Sequence, residues 1–335
     1  MARGETLVGL DVGTTTVRVL VGQHPSEPGE KPQILGVSAE PSSGMHRGVV
    51  TDVEEMIQSL STALDGAERM AGVPIDRAVV SIGGAHLDSL NSRGVIAVSR
   101  ADGEISEEDV GRVIAAAQAV SLPSNREIIH VIPQHFIVDG QGGITDPRGM
   151  TGVRLEVDAH IIEGSSPFIK NLTKCVYQAG VTITELVFAP LAAARAVLSK
   201  RQKELGVALL DLGGGTTNLA VYEETRLVHT ATIPVGGMHI TNDIAIGLRS
   251  SIDVAEKIKV EFGSALPETV KKSQEINLRN VSPTEENVSV SRHHVSDIIE
   301  ARLSEIFSLV SRQLRAIDRG GLLPAGIVLT GGGAR

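Results

Sequence analysis

Two stretches of the chain carry the same alternation of apolar and polar positions. Residues 7–22, LVGLDVGTTTVRVLVG, and residues 207–222, VALLDLGGGTTNLAVY, each run from an apolar stretch into an Asp, through a turn of Gly and Thr, and out into a second alternating run. Val17, Val19 and Val21 hold the alternation in the first copy, Leu219 and Val221 in the second. A period of two bounded by a glycine turn predicts a strand, a tight turn and a returning strand. The return of this unit in the second half of the chain predicts two related lobes, each built on a sheet.

Between the copies, strand-like and helical patterns alternate. Thr51 and Asp52, with Glu54 and Glu55 three residues on, read as capping boxes that open a helix, and Met56, Leu60, Leu64, Ala67 and Met70 then recur at helical spacing. Residues 78–82 form a short apolar strand stopped by Gly83 and Gly84. The segment 85–162 breaks this alternation with β-like runs at 94–99, 128–132 and 153–162, one helix capped by Ser106, and Pro and Gly turns. It reads as a small α+β subdomain inserted into the first lobe. A helix over 167–180, with Pro at its first turn and Gly at its stop, a strand Thr182–Phe188 and a helix over 190–205 lead into the second copy. Beyond it come a strand-like run 226–235, the pair Gly236 and Gly237, helices over 238–249 and 253–262, and a polar stretch 264–294 with two short alternating runs. A long helix over 295–317, a buried strand over 326–330 and the triplet Gly331, Gly332, Gly333 complete the pattern. The expected organisation is a first lobe of residues 1–84 with 163–195, the insertion 85–162, a second lobe of 196–237 with 318–335, and its subdomain 238–317.

Composition narrows the class. A length of 335 residues suits about two domains, and 41% hydrophobic residues can fill their cores. Five Phe, two Tyr and no Trp argue against a stacking platform for single-stranded nucleic acid. A net charge of -9 removes bulk attraction to phosphodiester backbones and anionic lipid, so no nucleic-acid partner is expected. Cys175 is the single cysteine, which forbids an intrachain disulfide. The start MARGETLVGL lacks a signal-peptide apolar stretch, and no window reaches the roughly 18 apolar residues of a membrane span. A reducing cytoplasmic compartment is the expectation.

The chemistry sits at the glycine turns. Gly lets backbone N–H groups approach phosphate oxygens, Thr hydroxyls add donors, and an Asp at a strand end holds hydrated Mg²⁺. One such hairpin is most often only a polar turn. Two copies, with the third turn TGGG at 330–333, give three loops able to converge on one nucleotide.

The arrangement resembles the actin and sugar-kinase ATPase superfamily. Its phosphate-1, phosphate-2 and adenosine motifs match GLDVGTTTVRVLVG, LLDLGGGTTNLAVY and GIVLTGGGA, in that order. Within the superfamily the chain is most similar to the bacterial cell-division family FtsA, through HVIPQHF (130–136), GMTGVRLEVDAHII (149–162) and ELGVALLDLGGGTTNLAVY. The resemblance implies an α/β fold of two actin-like lobes with the inserted subdomain. It implies ATP and Mg²⁺ as cofactors. Gly13, Thr14, Thr15 and Thr16 would cradle one side of the phosphate tail, and Gly213, Gly214, Gly215, Thr216 and Thr217 the other. Asp11 and Asp211 would act on the Mg²⁺ through its water shell, Gly236 and Gly237 would border the site, and Gly331, Gly332 and Gly333 would face the adenosine. Glu256 and Lys259, three apart on a helix, match a ribose and base contact or, equally, a solvated charge pair.

The same likeness implies partners: the tubulin-like protein FtsZ, docking on the subdomain with the long helix, where Glu300, Arg302 and Glu305 stand; self-association into actin-like filaments; and other division proteins at the insertion. Membrane contact in the family is made by a C-terminal amphipathic helix, at the inner face of the membrane at the division site. Only Ala334 and Arg335 follow the third glycine turn, so an incomplete second lobe and no unaided lipid binding are the expectations for this polypeptide. Where actins and chaperones carry a water-orienting Gln or Glu, this chain has Ala189 in FAPLAAARA. Alanine accepts no proton, so slow hydrolysis is expected. Two alternatives stand beside this reading: a non-filamentous scaffold like the pilus-assembly protein PilM, and a small-molecule kinase, for which no catalytic base is evident near the phosphate loops. His293 and His294 read as surface residues of a polar loop, His130, His135 and His160 as structural, and Cys175 as helix core.

Overall fold

The computed structural model describes residues 6–24, 32–283 and 287–334. Residues 1–5 of the expected first lobe, and Arg335, lie outside them. The first copy of the repeat is the antiparallel hairpin of β1 (Thr6–Val12) and β2 (Thr16–Gln23), followed by β3 (Gln33–Pro41), the small hairpin of β4 (Met45–His46) and β5 (Val49–Val50), α1 (Val53–Ala71) and β6 (Arg77–Ile82). The insertion follows as β7 (Leu87–Ala97), α2 (Glu107–Gln118), β8 (Arg126–Val138), β9 (Gln141–Ile144) and β10 (Arg154–Ser165). The chain then returns through α3 (Ser166–Gln178), β11 (Thr182–Phe188), α4 (Ala189–Val197) and α5 (Lys200–Leu205). The second copy is β12 (Val207–Leu212) with β13 (Thr217–Glu223), continued by β14 (Arg226–Ile233), α6 (Gly237–Leu248), α7 (Ile252–Phe262), β15 (Glu275–Asn277), α8 (Leu278–Val281), β16 (Ser289–Ser291), α9 (Arg292–Ala316) and β17 (Ile327–Thr330).

The two lobes share a topology. The first sheet runs β11-β6-β1-β2-β3 and the second β14-β13-β12-β17. In each, the hairpin is antiparallel and its first strand takes a later strand in parallel, β6 in one lobe and β17 in the other. Helix α1 forms where the capping pattern placed it: the Asp52 side chain accepts the N–H of Glu55, and Gly72 closes the helix in the left-handed region. Its Met56, Leu60, Ala63, Leu64 and Ala67 are buried against Val17, Val19 and Val21 of β2. Each large apolar side chain so removed from water contributes about 1.5–3 kcal/mol.

The sheets differ in their covering. The face of the first sheet away from α1 leaves Leu7, Leu20, Ile34, Val37 and Val79 exposed, from 39% at Val79 to 50% at Ile34. The second sheet is covered on both faces: Leu210, Leu219 and Val221 pack with Ile306 and Val310 of α9, and Leu209, Ala220 and Tyr222 with Ala194 and Leu198. Hence Thr217 to Tyr222 of β13 are all buried despite the alternating sequence.

The insertion is an antiparallel sheet, β7-β10-β8-β9, with α2 across one face. It also touches the second lobe. Ser89 Oγ donates to the Thr230 carbonyl at 2.9 Å, Gln134 Nε2 donates to that of Leu227 at 2.9 Å, and His160 bridges Asn91 Oδ1 (2.8 Å) and Thr230 Oγ1 (2.9 Å).

Three sequence expectations are corrected. The helix over 190–205 is two helices, because Leu198 is extended and Ser199 starts α5 with its own capping box to Gln202. Among the described residues the strand near 326–330 is an edge strand, paired with β12 alone and with Ile327 and Leu329 about half exposed, rather than buried. His293 and His294 lie in the first turn of α9, capped by Ser291, not in a loop. Strands β3, β4, β5 and β9 and the short helix α8 were not anticipated.

Candidate nucleotide cleft and partner groove

The two glycine turns are built alike. Gly13 N–H donates to the Thr16 carbonyl at 3.1 Å, and Gly213 N–H to that of Thr216 at 2.9 Å. They meet across the lobes. A Cβ on Gly214 would lie 2.4 Å from Thr15 Cγ2, and one on Gly215 2.9 Å from Thr14 Oγ1. No side chain fits at either position, so glycine is what brings the backbone of one turn onto the threonines of the other. Thr14 Oγ1 accepts the N–H of Gly48 at 3.0 Å, and the Thr15 carbonyl accepts that of Ser42 at 3.1 Å. Thr16 opens β2. Thr216 and Thr217 are buried, and the Thr217 hydroxyl donates to the Val235 carbonyl at 2.7 Å. The Thr217 proton is thus committed to the fold.

Asp11 and Asp211 end matching strands beside these turns. Asp11 accepts from Ser81 Oγ at 2.6 Å and from Arg18 at 3.4 Å. Burial, and then the charge of Asp11, push the Asp211 carboxyl above its ordinary value, against the pull of Asn218 and Arg18. Two carboxylates that repel one another fit a cation between them. Among the described residues no three His, Cys, Asp or Glu side chains gather as a metal cage, so the fit is to a hydrated cation held through water.

The second-lobe turn is fastened to α6. Gly237 and Met238 donate their N–H groups to the carbonyls of Gly213 and Gly214, both at 2.8 Å, and a Cβ on Gly236 would lie 2.4 Å from the Gly213 carbonyl oxygen. Lys259 is anchored here. Its Nζ reaches Glu256 Oε2 (2.6 Å), Thr241 Oγ1 (2.8 Å) and the Gly237 carbonyl (3.3 Å). The Glu256–Lys259 pair therefore ties α7 to the start of α6. Gly331, at φ +88°, sits against Asp211, whose Oδ1 would be 2.4 Å from a Cβ there; Gly333 packs on Leu212, and Gly332 faces open space. The structure thus gathers all three glycine turns, both Asp residues and the α6–α7 corner. Sequence reading missed Ser81, Arg47, Thr241 and His239, whose places depend on tertiary contacts that no local pattern encodes.

The expected partner residues fall elsewhere. A groove of about 430 Å³ between α6 and α9 is lined by Asp243, Ile246, His294, Ile298, Arg302 and Glu305 among others. Arg302 makes a two-pronged bond to Asp243, at 2.7 and 2.9 Å, and also pairs with Glu305. Glu300 is exposed on α9 and does not line the groove. A second groove, about 330 Å³, runs between the insertion and the first lobe, with Glu127 and His130 on one side and Tyr177, Glu185 and Leu186 on the other. Among the described residues no helix is long and apolar enough to cross a membrane.

Residues 84–163 match the model of the SHS2 domain inserted in FtsA, and residues 208–333 that of cell division protein FtsA. The chain is 43% identical to the cell division protein FtsA of Bacillus subtilis over 334 residues, all of this chain and 75% of that protein. Among solved structures it resembles the PilM-PilN type IV pilus biogenesis complex, at TM-score 0.69 and 15% identity, over 98% of this chain and 82% of that one. It also resembles MreB5 of Spiroplasma citri bound to ADP, at TM-score 0.56 and 18% identity, over 98% and 85%. The fold is therefore actin-like, and at 43% identity along its whole length the chain belongs to the FtsA family of cell-division proteins.

Proposed function

We propose that this chain binds ATP with Mg²⁺ between its two lobes and uses the nucleotide as a conformational and assembly ligand in linking FtsZ to the membrane at the division site. The observation that carries the reading is the meeting of the two glycine turns beside Asp11 and Asp211. Gly13 to Thr16 and Gly213 to Thr216 would grip the phosphates, with the buried Thr217 holding the second turn in place through Val235 rather than reaching the ligand, and Gly331 to Gly333, with Glu256 and Lys259, would border the nucleoside. Mg²⁺ would supply charge neutralisation of the phosphate tail when bound, and Asp11 and Asp211 would be the residues that hold it, through its water shell. Ala189 begins α4 with a side chain that accepts no proton. Hydrolysis is accordingly slow, well under the 1–100 per second typical of kinases.

The α6–α9 groove is the proposed seat of the FtsZ tail, with Arg302 and Glu305 on its wall. The groove between insertion and first lobe would take other division proteins. Filament formation, and membrane contact through a C-terminal amphipathic helix, complete the family picture. The likeness to PilM favours a second reading, a nucleotide-binding scaffold that neither polymerises nor recognises FtsZ. Titration of ATP with Mg²⁺ into the purified protein tests the first part: saturable one-to-one binding supports it, and its absence from a folded sample overturns it. FtsZ-tail binding then separates the two readings.

A further inference from the structure

Arg47 and Gly48 form the two-residue turn between β4 and β5, with φ of 49° and 76°. Both are left-handed, as a tight hairpin turn requires. The turn is wedged where three parts of the molecule meet. Gly48 N–H donates to Thr14 Oγ1, the Arg47 carbonyl accepts the N–H of Ala85 at 3.2 Å, and a Cβ on Gly215 would lie 2.9 Å from Arg47 Cα. First-lobe turn, entrance to the insertion and second-lobe turn all touch it, so the place from which the Arg47 side chain departs is fixed.

That side chain crosses to the other lobe. Its Nη2 lies 3.4 Å from Nε2 of His239, in the first turn of α6. The other ring nitrogen, Nδ1, accepts the N–H of Gly236 at 3.1 Å. A ring nitrogen that accepts carries no proton, so in the neutral imidazole the proton is on Nε2. Burial first, and the neighbouring Arg47 charge next, lower the His239 pKa and keep the ring neutral. The contact between Arg47 and His239 therefore sets two donors against each other, which contributes no hydrogen bond. An anionic oxygen placed between them would accept from both, and charge-assisted bonds of that kind are about twice as strong as neutral ones.

The geometry points to Arg47 and His239 as a clamp on the terminal phosphate of a bound nucleoside triphosphate, one donor from each lobe. Of the phosphates, the terminal one is at the end of the tail, and a diphosphate lacks it. Closure of the lobes is thereby coupled to the third phosphate, since a ligand shifts a conformational equilibrium only by its differential contacts. This rests on the ATP reading above, and the test separates the two.

The experiment is calorimetric titration of ADP and of the non-hydrolysable AMPPNP, each with Mg²⁺, into the wild-type protein and into Arg47→Gln and His239→Leu. The wild type is expected to prefer AMPPNP over ADP by about tenfold or more, as loss of one charge-assisted bond implies. Each variant is expected to lower that ratio by about tenfold, the share of one charge-assisted bond, while ADP still binds, which also reports that the protein is folded. Variants that keep the wild-type ratio overturn the clamp and leave ATP binding intact. A wild type with no preference, or variants that lose both nucleotides alike, also overturns it. A wild type that binds neither nucleotide overturns the clamp and the ATP reading together.

Discussion

Asp11 and Asp211 occupy the same place in two copies of one hairpin, yet Asp11 stands opposite Arg18 across β1–β2 while Asp211 stands opposite Asn218 across β12–β13. One carboxylate has a cation as its cross-strand neighbour and the other an amide. Asp211, the more buried, carries the repulsion of Asp11 in addition.

The first prediction follows from that asymmetry. Folding raises the Asp211 pKa from 3.8, so its stabilising contribution is complete below that value and lost as pH rises through the raised one. At neutral pH the charged group costs stability. Asp211→Asn keeps the size of the side chain and removes the charge, so the ligand-free variant should melt higher than wild type at pH 7. The gain should close as the pH falls toward 3.8. Mg²⁺-dependent ATP affinity should fall by about tenfold or more, because a cation water shell loses an anionic acceptor. An unchanged melting temperature at pH 7 would show that the two carboxylates do not burden one another.

Close packing at glycines gives a second. A Cβ on Gly94 would lie 2.1 Å from the Val113 carbonyl oxygen and 2.6 Å from Ala117 N, so β7 passes directly beneath α2. Gly94→Ala should destabilise the protein by about 1–3 kcal/mol, the usual cost of overpacking. Gly111, on the exposed side of the same helix, has nothing within 4 Å of its added Cβ. Gly111→Ala should therefore be neutral or stabilising by up to about 1 kcal/mol. Urea denaturation of the pair reads the contrast.

What the sequence disclosed depended on the range of the interaction. The hairpins around Asp11 and Asp211 and helix α1 are local devices: alternation, a glycine turn, a cap at Asp52. All were legible, as were the glycine turns of the cleft. The break at Leu198 was not, because the capping box at Ser199 sits inside a run that also has helical spacing. The partial exposure of β17 depends on what lies beside an edge strand, which composition does not state. Arg47 and His239 are nearly two hundred residues apart and approach only because both lobes fold. Glu300, Arg302 and Glu305 looked alike as helix charges, and only the position of Asp243 on α6 distinguishes Arg302.

The seam between insertion and second lobe should be sensitive to acid. His160 is buried between Asn91 and Thr230, and its pKa is lowered from 6.5 to about 4, chiefly by burial. A folded-state value below the unfolded one means that the unfolded chain takes the proton first. Stability is thus retained above pH 6.5 and lost as the pH falls from 6.5 to about 4. The loss for this one group is about 2–3 kcal/mol. Folding free energy measured in urea at pH 7 and pH 4.5 should show it, and His160→Gln should remove about one proton from the slope. A slope unaltered by His160→Gln would mean the ring is reached by water.

The groove between α6 and α9 makes the sharpest statement about partners. Ile246 is 76% exposed on its rim, and Ile298 and Ala301 add apolar surface beside the Asp243–Arg302–Glu305 network. A peptide seated there would bury the apolar rim and meet charges already held in place by one another. Ile246→Asp should weaken binding of an FtsZ tail peptide by about tenfold or more, through lost burial and an added desolvation cost. Reversing both charges, Arg302→Glu with Glu305→Arg, should also weaken it, since Asp243 would then face a carboxylate. Glu300→Lys should leave it within about fivefold, because an exposed charge outside the groove contributes under about 1 kcal/mol. Fluorescence anisotropy with a labelled tail peptide measures all three. Equal losses for Glu300→Lys and the double reversal would move the docking site off the groove and onto the open face of α9.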